Sequence, residues 1–311
     1  MSLCSARGRF LQRLSGAIWL LAGERGSMGF AIAVDSTFDM SEEEYKDLKV
    51  AMVPLNIRIG EDEWKDQSEI TSLEFYERMA ASDCLPKTSQ PSPHDFIVEY
   101  DRLLSEGSDG VLSLHIAGVL SGTVESACLA AGQVKGDVRV VDTLGTSAQA
   151  ALVLKEACRL RDAGVSLASA QEEIERFVPQ TQFLVACETL ENLLKGGRLS
   201  ADRAKDASLL NIKPIFTFDE RGVLVPFGKA KGMRGVVKQY VAHVQKRTQE
   251  QGKQAIRFCH VGNEAAVESL KKALAEAEVE YVDKGSCPCG ATIATHLGMG
   301  ALGIGLCPSG E

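Results

Sequence analysis

From residue 29 onward, short apolar runs alternate with longer stretches whose apolar positions recur at helical spacing. The run at 30–34 (FAIAV) predicts a strand ending at Asp35-Ser36-Thr37. Ser41 and Glu44 then form a capping-box pattern that opens a helix. Residues 50–59 read as strand and 60–72 as a polar, acidic stretch that forms an arm or small subdomain. A helix over 73–81, a loop around Thr88, a helix over 93–104, a strand over 110–116 (GVLSLHI) and a helix over 122–133 follow. Next come a strand over 138–141 and a helix over 147–162. Such alternation predicts a parallel sheet with helices on both faces.

A second α/β unit is expected from about Ser166. It comprises a helix over 167–177, a strand over 183–187, and a helix over 189–195 stopped by Gly196-Gly197, a pair suited to a left-handed cap. A short helix ending at Leu210 precedes an antiparallel hairpin, 212–218 with 223–228, around Asp219-Glu220-Arg221-Gly222. Helix 233–249, strand 255–261, helix 264–277 and strand 279–283 complete it. The expected organisation is therefore α/β with two domains: a parallel-sheet domain over 28–165, with the arm spanning 60–87, and a mixed-sheet domain over 166–311, a ligand lying between them. Residues 1–27 differ. Arg7, Arg9 and Arg13 precede an apolar run at 17–22 that is too short to span a bilayer. No small-residue cleavage site follows, so this stretch reads as an extra segment outside the fold.

Composition narrows the function. With 45% apolar and 24% charged residues over 311 positions, the chain reads as an ordinary globular protein with no stable membrane insertion. A formal charge of −8 argues against a nucleic-acid partner, and 6% aromatics argue against single-strand stacking platforms. Nine cysteines, an odd number set mostly in apolar patterns, fit reduced core residues of a cytoplasmic protein. Cys287-Pro288-Cys289, with Cys307 nearby, is the one local cluster. No C-x-x-C pair exists, so neither a metal nor a cofactor is expected.

Two loops carry candidate chemistry. Lys87-Thr88-Ser89-Gln90-Pro91-Ser92 places hydroxyls and an amide before a helix N-terminus, with Ser92 as N-cap, Pro93 at the first helical position and Asp95 completing a capping box. Such ends attract anions. Leu120-Ser121-Gly122-Thr123 opens the next helix, with Ser121 as its cap and Gly122 open to close approach. Strand–loop–helix units bring their loops to one sheet edge, so both can meet one ligand. Gly298-Met299-Gly300-Ala301-Leu302-Gly303 matches G-x-G-x-x-G but is not a dinucleotide fingerprint, because only eight residues, reading as a strand, remain after it. It reads instead as a turn carrying His296 into a cleft. His296, the hydroxyls of Asp35-Ser36-Thr37, and Arg198 each have a structural reading as well as a functional one.

Taken in order, Val34-Asp35-Ser36-Thr37, Pro54-Leu55, Phe75-Tyr76, the 87–92 segment, Leu120-Ser121-Gly122-Thr123, the 196–200 segment (GGRLS), the 209–215 segment (LLNIKPI) and Thr295-His296 with the following glycine turn resemble the DegV family over about residues 29–307. These are bacterial fatty-acid-binding proteins, some of them binding subunits of fatty acid kinase. The resemblance implies a fatty acid buried between two α/β domains, with its carboxylate held by Thr88, Ser121 and His296, and with Ser89, Gly122, Thr123 and Gly118 in support. It implies that Arg198 and Lys231 meet a kinase partner, Lys231 standing where the family usually has arginine. Ala117-Gly118 stand where the family usually places polar residues. The protein is then a lipid carrier and not an enzyme. The alternative is a hydrolase or acyltransferase using Ser121 or a cysteine with His296, although no G-x-S-x-G elbow is present.

Overall fold

In a computed structural model, residues 29–200 and 211–310 are described. The 1–27 segment and the expected short helix ending at Leu210 lie outside them. Strands β1 (Ala31–Asp35), β2 (Val50–Val53), β6 (Val111–His115) and β7 (Val138–Asp142) form an all-parallel sheet in the order β2-β1-β6-β7. Every residue of β6 is buried, as a central strand covered on both faces requires. Helices α3 (Pro93–Ser105) and α4 (Thr123–Ala131) cover one face through Phe96, Tyr100, Ala127 and Ala130. Helices α5 (Ser147–Asp162) and α6 (Leu167–Phe177) cover the other, packing Val153, Leu154 and Ile174 on Ile32 and Leu112. Because α6 packs beside α5 on this first sheet, a division at 165/166 separates two helices that share a core. The chain enters the second sheet only after Gln180.

That sheet is mixed. Strands β8 (Gln182–Ala186), β9 (Ile212–Phe218), β10 (Leu224–Lys231), β11 (Gln254–His260), β12 (Tyr281–Pro288) and β13 (Leu302–Pro308) run in the order β10-β9-β8-β13-β11-β12, and only β11 and β12 pair in parallel. Alternation along the strands divides the side chains. Leu184, Ile304 and Leu306 face helices α8 (Gly232–Gln251) and α9 (Glu264–Glu276), whereas Phe183, Val185 and Cys259 face inward toward the first unit. Helix α5 lies across that inner face. Its approach depends on Gly305, where a Cβ would stand 2.4 Å from the Ala148 carbonyl. The last glycine of the G-x-G-x-x-G match lies in the pairing of β13 and leaves room for the Cys259 thiol, so the match has a packing role.

The stretch read as one strand at 50–59 is two strands in different sheets. Pro54 has no N–H to continue the ladder, and β3 (Asn56–Ile59) instead pairs with β4 (Asp62–Lys65) and β5 (Lys87–Ser89). This three-stranded antiparallel arm carries α2 (Ser72–Ala81) between β4 and β5, and its Ile57, Phe75 and Tyr76 pack in one core cluster with Val185 and Cys259 of the second unit. Thr88, expected in a loop, is the middle residue of β5 and pairs with Ile57. Two further short helices are α1 (Glu42–Asp47) and α7 (Glu191–Lys195). The latter stops at Gly196, followed by Gly197 at φ +72°, the left-handed residue expected of the pair. Between β12 and β13, α10 (Ala291–Leu297) carries His296 in its last turn, so a helix and not the glycine turn presents the histidine.

Candidate functional site

A cavity of about 320 Å³ opens between the two sheets, near the lower end of the range for small-molecule sites. Most of its wall is apolar: Leu55 and Ile116 from the first unit, Phe183, Val185, Phe218 and Leu224 from the second, and Ile293 and Leu297 from α10. Phe183 and Phe218 stack with ring centroids 5.8 Å apart. Polar groups join this wall from the arm, the α4 entry loop, the chain after α7, and α10: Thr88, Ser89, Gln90, Ser121, Arg198 and His296.

The Thr88 hydroxyl lies 3.0 Å from His296 Nε2, closing a contact between residues 208 positions apart. Burial, with the nearby positive charge of Arg198, pushes the His296 pKa down to about 3, so the imidazole is neutral at pH 7. Nδ1 is buried and has no hydrogen-bond partner in the described structure. Gly196 sits over that nitrogen, and a Cβ there would be 2.5 Å from it. If Nε2 carries the proton, the Thr88 oxygen accepts from His296 and its own O–H remains free to donate into the cavity. The alternative tautomer would bury an unpaired Nδ1–H donor, the costlier arrangement.

Ser121 does not cap α4. Gly122 is the N-cap residue and no side chain caps that end. The backbone amides of Leu120 and Ser121 both donate to Ala117 O, a tight turn that directs the Ser121 hydroxyl to Thr123 Oγ1 at 2.8 Å. The anion-attracting helix end expected after Thr88 is likewise satisfied internally: the Ser92 amide donates to Asp95 Oδ2 at 2.7 Å, and the Asp95 amide donates to Ser92 Oγ. The head of the cavity is thus built from a strand, a turn and the C-terminal turn of α10.

The remaining candidates divide. Ser89 and Gly122 line the cavity. Thr123 is buried behind Ser121, and Gly118 spends its amide on Asp142 Oδ2. Arg198 lines the cavity while its guanidinium donates to the carbonyls of Leu120 (3.1 Å) and Gly196 (2.6 Å), stitching the two units together. Lys231 is exposed where β10 meets α8 and contributes nothing to the wall. Ala117 lies 3.0 Å from where a Cβ on Gly222, in the β9–β10 turn, would stand, so a small residue suits this contact.

Gln90 joins the wall as well, although the sequence marks it only as an amide before a helix end. Its amide fills the space over Gly122, where a Cβ would be 2.2 Å from Oε1, and it donates to Ser126 Oγ at 3.1 Å. Its position in the 87–92 segment was the available signal. The hydrolase alternative gains nothing from this geometry. His296 Nε2 engages Thr88 instead of Ser121, and among the described residues no carboxylate orients Nδ1. A Ser–His–Asp chain does exist elsewhere, running Ser113–His115–Asp35 with contacts of 2.7 and 3.0 Å, but all three side chains are sealed in the core and Ser113 is also tied to Tyr100. It braces the ends of β1 and β6.

Among the described residues there is no cluster of three metal-ligating side chains, and no helix is long and apolar enough to cross a membrane. The eight described cysteines are free.

Comparison with known proteins fits this architecture. The family model described as "Uncharacterised protein, DegV family" matches residues 29–309. A DegV domain-containing protein of Deinococcus radiodurans is 34% identical over 282 residues, covering 90% of this chain and 99% of the relative. A protein of Thermotoga maritima named as a fatty acid-binding protein is 30% identical over 283 residues, covering 90% and 98%. Among solved structures, a DegV family protein from Thermus thermophilus, described by its fatty acid binding, superposes with a TM-score of 0.84 at 32% identity over 90% of this chain and 99% of that one. With the family's match spanning both sheets, the arm and the cavity between them, this chain belongs to the DegV family.

Proposed function

We propose that the protein binds a long-chain fatty acid in the cavity between its sheets and acts as a lipid carrier, with no catalysis of its own. The observation that carries this reading is the polarity of the wall: a long apolar stretch joined by a few convergent hydrogen-bonding groups. The acyl chain lies along Ile116, Phe183, Val185, Phe218 and Leu224. The carboxylate meets Thr88, Ser121 and His296. Relatives in the same family described as fatty acid-binding proteins support it.

Burial of a C16 chain gives a gross term on the order of 12 kcal/mol, at ~0.8 kcal/mol per CH₂, much of it offset by the cost of association. A carboxylate brought in without donors would forfeit a large part of the remainder. Here the free O–H of Thr88 donates to it, Ser121 offers a second hydroxyl, and the Arg198 guanidinium supplies positive charge nearby. Arg198 is also half-buried at the cavity wall, the position from which a partner enzyme would reach the head group. Presentation of the bound acid to a fatty acid kinase, for conversion to an acyl phosphate, is the role we assign to that side.

Native mass spectrometry of the purified protein, followed by titration of delipidated protein with palmitate, tests the reading. A retained fatty acid, or uptake of one palmitate per chain, is expected. Protein that carries no lipid and takes up neither palmitate nor oleate would overturn it.

A further inference from the structure

We propose that Asp39 and Asp66 are positioning residues for the head-group site, gripping the first amides of α10 and so fixing where His296 meets Thr88. The proposal rests on the lipid-binding reading for its consequence and on hydrogen-bond geometry for its substance.

Helix α10 has only seven residues, yet Thr292, Ile293, His296 and Leu297 all line the cavity. It has no cap of its own, since its N-cap is Gly290. Two carboxylates from the first unit take that place. Asp39 Oδ1 accepts from the Gly290 amide at 2.8 Å, and Asp66 accepts from the Ala291 amide at 2.9 Å and the Thr292 amide at 3.1 Å. Three successive amides from one unit thus end on two side chains of the other. The carboxylates are themselves fixed: the Ser147 hydroxyl donates to Asp39 Oδ2 at 2.5 Å, and the Ser36 hydroxyl to Asp66 Oδ2 at 3.0 Å. Gly290 is required for this approach, because a Cβ there would stand 2.5 Å from Gln67 Nε2 and 3.1 Å from Asp66 Oδ1.

Asp66 belongs to the arm, immediately after β4, and the same arm holds Thr88 on β5. One small sheet therefore delivers Thr88 to the head group directly and His296 indirectly, through the grip of Asp66 on the start of α10. Both aspartates are fully or almost fully buried, and burial raises their carboxyl pKa values above the ordinary range. Apolar residues at buried charged positions often cost a fold less than the charges do. Here the positive end of the helix and its free amides compensate the carboxylates, and what they fix is the place of α10.

Asp66→Asn in the full-length protein tests this, with two readouts. The first is the His296 imidazole signal in ligand-free, histidine-labelled protein, assigned with His296→Gln. The second is the ratio of affinities for palmitate and hexadecan-1-ol, which share a tail but not a carboxylate. A positioning role predicts a shifted His296 signal and palmitate binding weakened about tenfold, the effect of one misplaced hydrogen bond, with hexadecanol changed far less. An unchanged imidazole signal, or equal weakening of both ligands, would overturn it. If Asp66→Asn does not fold, Ser36→Ala, which removes the hydroxyl held by Asp66, should move both readouts the same way by a smaller amount, and no movement there would equally overturn it. Wild-type protein that binds neither ligand would refute the lipid reading, while the imidazole signal would still decide the positioning role.

Discussion

Replacing Thr88 with valine removes one hydroxyl from the cavity and changes almost no volume, and its consequences can be worked from two contacts. Among the described residues the hydroxyl is the one partner of His296 Nε2 in the ligand-free protein, and Nδ1 has none. Valine leaves the imidazole with neither nitrogen paired, at a cost of about 1–3 kcal/mol of folding stability for a buried polar group without its partner. In the proposed complex the same oxygen would accept from His296 and donate to the carboxylate, so the variant would lose two interactions there and one in the free state. The difference is the charge-assisted bond alone, ~1.5–3 kcal/mol, or about ten- to 150-fold in Kd for palmitate. Urea unfolding of delipidated protein reads the first quantity, and calorimetric titration with palmitate reads the second. Thr88→Ser should restore both. A Thr88→Val protein that binds palmitate within about twofold of wild type would refute the role given to this hydroxyl.

Two further outcomes follow from the geometry. His296 has its pKa depressed to about 3 by burial and by Arg198, so the unfolded chain takes up this proton first as pH falls. The stability contributed by neutral His296 is complete above the unfolded value near 6.5 and is lost toward the folded value, at about 1.4 kcal/mol per pH unit within that window. The raised carboxyls of Asp39 and Asp66 act in the opposite sense, contributing at low pH and losing that contribution as pH rises. Comparing wild type with His296→Gln isolates the histidine: in urea unfolding across this range the stability difference should shift in favour of wild type as pH rises, and parallel curves would contradict the assignment. At Gly305 an alanine Cβ would strike the Ala148 backbone at 2.4 Å, where no flexible side chain can yield, so Gly305→Ala should lose about 1–3 kcal/mol or more in urea unfolding; unchanged stability would show that α5 can move off the sheet.

The strand–helix alternation was legible because its signals are local. GVLSLHI is apolar apart from Ser113 and His115, and all five residues of β6 are buried. Ser41 with Glu44, and Ser92 with Asp95, form the capping boxes their spacing announces. What failed depended on remote partners. The Lys87-Thr88-Ser89 segment has no apolar alternation and becomes a strand only because β3 lies beside it. Nothing local separates the packing of α6 on the first sheet from packing on the second. Ser121 has the right residue type to cap α4, yet a turn closing on Ala117 O turns its hydroxyl to Thr123. Only the family resemblance pairs Thr88 with His296, since a separation of 208 positions offers no spacing rule. Asp66 was invisible for a different reason: amid Glu61, Asp62, Glu63 and Glu69 it looks like one more solvated carboxylate, and only the fold buries it.

In the proposed complex a carboxylate sits against Thr88 and His296. Palmitate labelled with ¹³C at its carboxyl, bound to histidine-labelled protein, reports on this directly by NMR. One bound carboxyl resonance is expected, displaced from that of free palmitate and insensitive to pH across the neutral range, together with a shift of the His296 imidazole on binding and the loss of that displacement in Thr88→Val. A carboxyl resonance that stays at the free position and titrates as in water, with His296 unmoved, would contradict it.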